Sequence, residues 1–584
     1  LSLAGSVAFR HIADDPVRAI VLASRALPGP LRGLVRLAGP YGRAAALWSA
    51  GQRRAALAAL EAHPARLAAF SLAVDQPQVA RSALTRLPEG HRAARVLAAR
   101  LARREGQLTD VFAAERRLLD PAFWVTSLGG NDPPQTPPAN EGLRGPRAPA
   151  GGPAAPRILH IVTDALPTTN AGYTVRTQEI AVAQRFAGLD PHVVTRIGFP
   201  VTSGKLDGRF LVSVDGVPYH RLLPWVLPRS ADAMASRHLA LASRLVSSLK
   251  PAVLHAHSNY VNGMVGLALR ERYGLPLVYE VRGFWEDTWL SRHPGLEDTL
   301  RASEVYRATR ALETLVMTSA DLVVTLGAAM KAEIVSRGVP PEKVLLAPNG
   351  VSSAFLSPLP PGAALRASLG IDPSDFVVGT VTSLFGYEGI GTLLSAAAAM
   401  GTPREAREPR ADKSDISGSD PAAQAGKSVK VLIVGDGPER ASLERQAASL
   451  GVEAIFTGRV PPGRVRDYHA VLDAFVVPRT PDRVCQLVTP LKPVEAMASG
   501  LPVVLSDVAA LAEIVTDGVT GLLFPPLDAE ALADRLRLLR ADPSLRARLG
   551  REAHAWAAGR TWALDADTYL AAYTALAPSP EGHR

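Results

Sequence analysis

Short runs of β-branched and other apolar residues alternate with amphipathic segments over most of the chain, and this pattern predicts strand, turn and helix in repetition. The first series of predicted strands is Ile158–Val162, His192–Arg196, Val253–His255, Leu277–Val281, Leu322–Leu326 and Val344–Ala347. The second is Phe376–Val381, Lys430–Val434, Ala454–Phe456, Ala474–Val477, Val503–Leu505 and Gly521–Phe524. Alternation of this kind implies parallel sheets with right-handed crossovers. About a dozen strands are too many for one ordinary open sheet. The expected fold is therefore α/β, with two doubly wound, Rossmann-like domains facing a cleft at the carboxyl ends of their strands.

The pattern changes at both ends of this region and once inside it. Residues 1–127 are rich in Ala, Leu and Arg with helical periodicity and few strand formers, which predicts a mostly helical extension. Gly51-Gln52-Arg53 and Gly106-Gln107-Leu108 each precede a helical run, a loose echo of helix-turn-helix repeats without a clean period. The simpler reading, a helical extension that packs on the body or on a partner, is preferred. Residues 128–156 are rich in Pro and Gly and read as a flexible linker. Residues 401–428 read as a disordered insertion. The expected domains are thus 157–365 and 366–560, followed by a terminal helix and tail over 561–584.

Composition narrows the classes. The chain has 584 residues, 47 % hydrophobic and 20 % charged, enough apolar material for conventional cores. A single cysteine, Cys485, rules out an internal disulfide or a multi-cysteine metal site. No apolar run approaches the length of a membrane span, and residues 1–15 carry no legible secretory signal, so a cytoplasmic location is expected. The chain carries 64 Lys and Arg against 55 Asp and Glu, a net of +9. Residues 1–150 hold 20 Arg, no Lys and 11 acids, which accounts for the whole excess. A main body of zero net charge argues against nucleic acid as a substrate. The basic extension suggests peripheral contact with a membrane's inner face or with a protein.

The strongest local feature is TPLKPVEAMASGLPVV, residues 489–504. Pro493 suits a first helical turn and Gly500 a helix stop before the next strand. With Pro493 as the first helical residue, Glu495 lies in the same turn, beside free backbone N–H groups at the positive helix end. A carboxylate there can accept two ribose hydroxyls while the N–H groups face a phosphate. On position alone, the same carboxylate could simply complement the helix dipole.

The wider pattern is more specific. PVEAMASGLPVVLSD, followed by Glu513 and DGVTGLLFPP, resembles the C-terminal signature of family-4 retaining glycosyltransferases of GT-B fold. RILHIVTD, NAGYTVRTQEIA, AVLHAHS, LPLVYEVRGFWED, SADLVVTLGAAMKAEI and KVLLAPNGV are similar to that family's earlier landmarks, in order. FVVGTVTS with YEGIGTLL, then VLIVGDGPER and IFTGRV, continue the series. The resemblance implies transfer of a sugar from a nucleoside-diphosphate sugar to a saccharide or lipid-linked acceptor, with retention and without a metal or other cofactor. It assigns donor binding to the second domain and acceptor binding to the first. The Asp565-Ala-Asp567 triplet lies in a helical stretch and reads as a solvated face, not a metal site. His255 and His257 point to one side of a strand end without convincing further ligands.

The sequence also departs from the family. The position eight before Glu495 is Leu487, not a second glutamate, and the usual cations near the start of the second domain are replaced by Thr382 and Glu388. Lys492 and Arg479 are the substitutes on the same rim, with Arg282 expected to face them. The candidate catalytic residues are therefore Lys492, Arg282 and Glu388. The candidate donor-binding residues are Glu495, Gly172, Ser383, Gly437, Arg479, Thr489, Pro490 and Leu491, with no metal ligand among them. Gly435 and Gly437 are expected to shape the loop beside the nucleotide base. An epimerase or hydrolase on the same scaffold, or a catalytically silent scaffold or sensor, are the alternative functions.

Overall fold

The computed structural model describes residues 2–7, 15–26, 35, 38–88, 90–126, 155–293, 295–401 and 428–576. The expected linker and insertion lie almost wholly outside these residues. The chain divides into two compact units, one of Leu1–Thr169, His192–Leu277 and His293–Ser319, the other of Asn170–Pro191, Val278–Arg292 and Ala320–Arg584.

In the first unit the extension is helical, as its periodicity implies. Helices Pro16–Ala26, Gly39–Ser49, Pro64–Ala73, Pro77–Thr85 and Ala94–Arg104 enclose a core that includes Val21, Trp48, Leu67 and Phe70. The extension is tied to the rest of its unit. The Val305 N–H donates to the Gly106 carbonyl at 2.9 Å, Arg116 pairs with Glu304 at 3.1 Å, and Arg117 pairs with Asp232. The strands of this unit are β1 (Arg157–Val162), β2 (Asp190–Thr195), β3 (Leu211–Val214), β4 (Val217–His220) and β5 (Val253–His257). They lie in the order β3-β4-β2-β1-β5. β1 and β5 are parallel in the register Ile158↔Val253 to Ile161↔Ala256. β3 and β4 form an antiparallel hairpin closed by Asp215-Gly216, both at positive φ. The strand pattern did not predict this hairpin, although Asp-Gly is a strong two-residue turn signal.

In the second unit β6 (Leu277–Val281), β7 (Leu322–Thr325) and β8 (Val344–Leu346) are parallel neighbours. Six further strands follow: β9 (Phe376–Val381), β10 (Val429–Val434), β11 (Ala454–Gly458), β12 (Ala474–Val477), β13 (Val503–Ser506) and β14 (Leu522–Phe524). Their order is β11-β10-β9-β12-β13-β14, all parallel. This is the 3-2-1-4-5-6 arrangement of a doubly wound sheet, whose direction of growth reverses between β9 and β12. Both faces are covered, so the strands read as continuous apolar runs. Val377, Phe475, Val503 and Leu505 join a core that includes Val494 and Met497 of the helix Leu491–Ala498. Val378, Val476 and Val504 join the opposite core, with Leu394 and Leu536. No helix among the described residues is long and apolar enough to cross a membrane.

Candidate functional site

A cavity of about 320 Å³ opens in the second unit, where the sheet topology leads one to look. Its walls are the ends of β9 (Val381, Thr382, Ser383) and β10 (Val434, Gly435, Asp436), and the segment after β11 (Arg459, Val460). The start of the helix Gly172–Phe186 and the first turns of the helix Leu491–Ala498 also line it, as do Gly350, Phe355 and Trp562.

The loops at the strand ends have this form because two glycines permit it. Gly435 has φ +139°, and a Cβ there would lie 1.8 Å from the Thr382 carbonyl oxygen. A Cβ on Gly437 would lie 2.5 Å from the Leu384 carbonyl oxygen. The β10 loop is therefore pressed against the β9 loop, and both present backbone to the cavity. Gly437 itself braces this wall and is not among the lining residues. Gly172 does line the cavity, but a Cβ there would meet only Leu491 Cδ1 at 3.6 Å, an ordinary contact.

The helix bearing Glu495 begins at Leu491, two residues earlier than Pro493 suggests, with Pro490 as its N-cap. Pro493 is then the third helical residue, where a missing N–H is still harmless. Glu495 is the fifth, in the second turn rather than the first. The correction strengthens the geometry, because residues one turn apart share a face. Leu491, Lys492 and Glu495 all line the cavity. No side chain caps this helix, so its first N–H groups are not occupied by an N-cap side chain.

Glu495 has a side chain 13 % exposed, and its Oε2 is buried without a hydrogen-bond partner. Lys492 Nζ lies 3.5 Å from that oxygen. Apart from that ion pair the oxygen accepts no hydrogen bond, so its desolvation is only partly offset, and a donor hydroxyl would relieve it. Among the lining residues described, the cations are Lys492 and Arg459. Arg459 was not singled out from the sequence, where it sits in the IFTGRV landmark.

The other predicted residues take different places. Arg479 and Glu388 form a buried pair, with Nη2 and Oε1 3.0 Å apart, and Arg479 Nη1 donates to the Val488 carbonyl at 2.9 Å. Neither lines the cavity. Arg282 is bound to Glu280 at 2.7 Å and donates to the Tyr173 carbonyl and Thr177 Oγ1, each at 2.7 Å. Burial pulls its pKa down, and it too is absent from the cavity wall. Thr489 is buried, and its carbonyl accepts from Asn349 Nδ2 at 2.8 Å. Glu513 accepts from the Ala328 N–H at 2.8 Å and from that of Ala329, capping the helix Ala328–Ser336. Burial pushes the Cys485 thiol up to about 12, which leaves no thiolate for nucleophilic work.

Two polar clusters lie outside the cavity. Arg176 is 2 % exposed and donates to Glu280 Oε1, the Ala347 and Pro348 carbonyls, Asn349 Oδ1 and the Tyr569 hydroxyl. In the first unit His160 joins His255 and His257, and all three are buried. His160 Nδ1 and His257 Nε2 are 2.9 Å apart. The rings lie at interplanar angles of 18–38°, and one ring nitrogen from each lies within 4.8 Å of the others.

Asp565 does not behave as a solvated residue. It is partly buried, and a Cβ on Gly350 would lie 2.9 Å from its Oδ2. Burial pushes its carboxyl up to about 7 against the pull of Arg176, with Glu280 adding to the rise. An unfolded aspartate ionises near 4. The folded chain therefore holds the extra proton, and this residue lowers stability as pH rises from about 4 to about 7. Asp565→Asn should flatten that decline and raise the melting midpoint at pH 8 more than at pH 5. Parallel melts at the two pH values check it.

Comparison with known proteins agrees with this geometry. Residues 363–556 match the family described as glycosyl transferases group 1, and residues 171–350 match the glycosyl transferase 4-like domain. The D-inositol 3-phosphate glycosyltransferase of Nocardia farcinica is 28 % identical over 418 residues, 69 % of this chain and 84 % of that one. Its counterpart from Rhodococcus opacus is 30 % identical over 327 residues, 54 % of this chain and 66 % of that one. Among solved structures, sucrose-phosphate synthase of Thermosynechococcus elongatus superposes with a TM-score of 0.56 at 19 % identity, covering 72 % of this chain and 99 % of that one. HepE of Anabaena, solved with UDP, gives a TM-score of 0.53 at 19 % identity, covering 72 % and 100 %. The fold is GT-B, and the chain is a glycosyltransferase that uses a nucleotide-sugar donor. It belongs to the family-4 glycosyltransferases, the glycosyl transferases group 1.

Proposed function

We propose that the cavity binds the nucleoside-diphosphate part of the donor and that the sugar passes, with retention, to a hydroxyl of a saccharide, a lipid-linked saccharide or a phosphorylated polyol. The bond between the anomeric carbon and the diphosphate oxygen breaks, a bond to the acceptor oxygen forms, and the hydroxyl proton passes to the departing diphosphate. Charge on the departing diphosphate is met by Lys492 and the N–H groups of its helix, with no metal required. Residues 366–560 serve the donor and residues 157–365 the acceptor. The names of the relatives support a phosphorylated inositol as one acceptor to test, and the UDP and UDP-glucose complexes of HepE support uridine as the first base to test. The reaction is assigned to the cytoplasm, with the basic extension as a contact to an anionic surface or a partner.

The observation that carries this reading is Glu495 Oε2, which is buried in the cavity wall near an uncapped helix start and accepts no hydrogen bond. Two adjacent ribose hydroxyls would satisfy it. Glu495→Gln keeps the shape but loses the charge-assisted acceptor, so nucleotide affinity should fall by about 1.5–3 kcal/mol. Stability should change little, since the charge removed is paired only with the half-exposed Lys492. Equal affinity of the two proteins by calorimetry would remove Glu495 from the site. The small number of cations at the wall favours one other reading, a nucleotide-binding protein without turnover. Donor hydrolysis in the absence of acceptor separates the two: slow hydrolysis fits the transferase, and binding without hydrolysis fits the silent protein.

A further inference from the structure

Two loops of the first unit carry an unusual set of exposed apolar side chains. Trp225 is 85 % exposed, Leu206 78 %, Val226 61 % and Phe210 49 %. Large apolar residues standing singly at a surface need no explanation, but four within 21 positions on adjoining loops do.

The loops are fastened to one another. The Gly198 N–H donates to the Leu222 carbonyl and the Arg221 N–H to the Phe210 carbonyl, each at 2.8 Å. Asp207 is clamped between Arg209 and Arg221, which hold its carboxyl well below the usual range. Leu227, next to Val226, is buried against Val201, Ile197 and Leu3 of the first helical turn, and its N–H donates to Ser6 Oγ at 3.2 Å. Trp225 and Val226 are therefore held outward by a buried neighbour.

The charge around them is complementary to an anionic layer. Lys205, Arg209, Arg221 and Arg229 stand against Asp207 and Asp215 in residues 205–229. Lys205, Arg209 and Arg229 are exposed, while Asp207 is already neutralised. Exposed Trp and aliphatic residues interleaved with cations are the chemistry of the boundary between lipid headgroups and acyl chains.

We propose that this edge of the first unit docks on an anionic lipid surface, with Trp225, Val226, Leu206 and Phe210 entering the headgroup layer and Lys205 and Arg229 facing lipid phosphates. The proposal is independent of the reading of the cavity and does not depend on residues beyond the first turn of the extension.

Co-sedimentation of the full chain with vesicles tests it. Vesicles of phosphatidylcholine mixed with phosphatidylglycerol should carry the wild type down, and phosphatidylcholine alone should not. Trp225→Ser with Val226→Ser should weaken partition about tenfold, the scale of the apolar area withheld. Lys205→Gln with Arg229→Gln should weaken it about thirtyfold, as expected for two cations near such a leaflet. All four side chains are exposed, so melting and donor hydrolysis should not change. Equal sedimentation with both vesicle types overturns the proposal. So does undiminished binding by either double variant, which would move the contact to the extension or to a purely electrostatic patch.

Discussion

Lys492→Ala should lower turnover of a nucleotide-sugar donor by about a hundredfold or more, the scale seen when one preorganised donor to a developing anion is removed. The positions at which the family resemblance leads cations to be expected hold Thr382 and Glu388, and Glu388 is already engaged by Arg479. Arg282 is likewise committed to Glu280 and to the helix Gly172–Phe186. That leaves Lys492 and Arg459 as cations among the described lining residues. Lys492 stands at the helix start, one turn from Glu495, where phosphate and ribose would be adjacent. Its charge acts most strongly when the diphosphate departs, so the loss should fall on kcat more than on binding of the nucleoside, which lacks phosphate. Chelator should leave the wild type active. Normal turnover by Lys492→Ala, or activity lost to chelator and restored by a divalent metal, would contradict the assignment.

Arg176→Met should cost about 3–5 kcal/mol of stability, the range for breaking a buried charge network by removing one member. Arg176 answers two backbone carbonyls, Asn349, Glu280 and Tyr569 at once. Without it the Ala347 and Pro348 carbonyls lose their side-chain donor, and Glu280 keeps only Arg282 and the Tyr569 hydroxyl among its described hydrogen-bond partners. Arg176→Lys should recover little, because an ammonium cannot reproduce the planar fork. Asn349 also donates to the Thr489 carbonyl, so the damage should reach the segment that leads into the Lys492 helix. Urea unfolding midpoints, with nucleotide affinity as a second readout, check both effects. A midpoint within experimental error of wild type would show that the network is dispensable.

Most of the fold was legible because parallel strands covered on both faces leave unbroken apolar runs such as FVVGTV and AFVV. The β3–β4 hairpin was missed because LVSV and VPYH are short and mixed, and Pro218 argues against a strand except at an edge. Asp215-Gly216 was the available signal. The start of the critical helix was misplaced by two residues because Pro suits any position in the first turn.

The site divides along similar lines. Residues on the helix start, Leu491, Lys492 and Glu495, were legible because local spacing fixes which side chains share a face. Arg479 and Arg282 look alike in sequence to any cation near a strand end. Their engagement depends on Glu388, 91 positions away from Arg479, and on Tyr173, 109 positions away from Arg282. Asp565 read as a solvated charge on a helix and Arg176 was not singled out, because only tertiary packing buries them. The extension was separable by composition, yet Gly106, Arg116 and Arg117 tie it to the strand-bearing part of its unit.

Binding of nucleoside diphosphates to wild type and to Glu495→Gln, followed by thermal shift, is the most direct test of the cavity as the donor site. At about 100 times its dissociation constant, a bound ligand adds about 2.7 kcal/mol, so the wild type should melt clearly higher with at least one of UDP, GDP, ADP and TDP. Glu495→Gln should show a much smaller shift at the same concentration. No shift with any of the four, or the same shift in both proteins, would contradict the account.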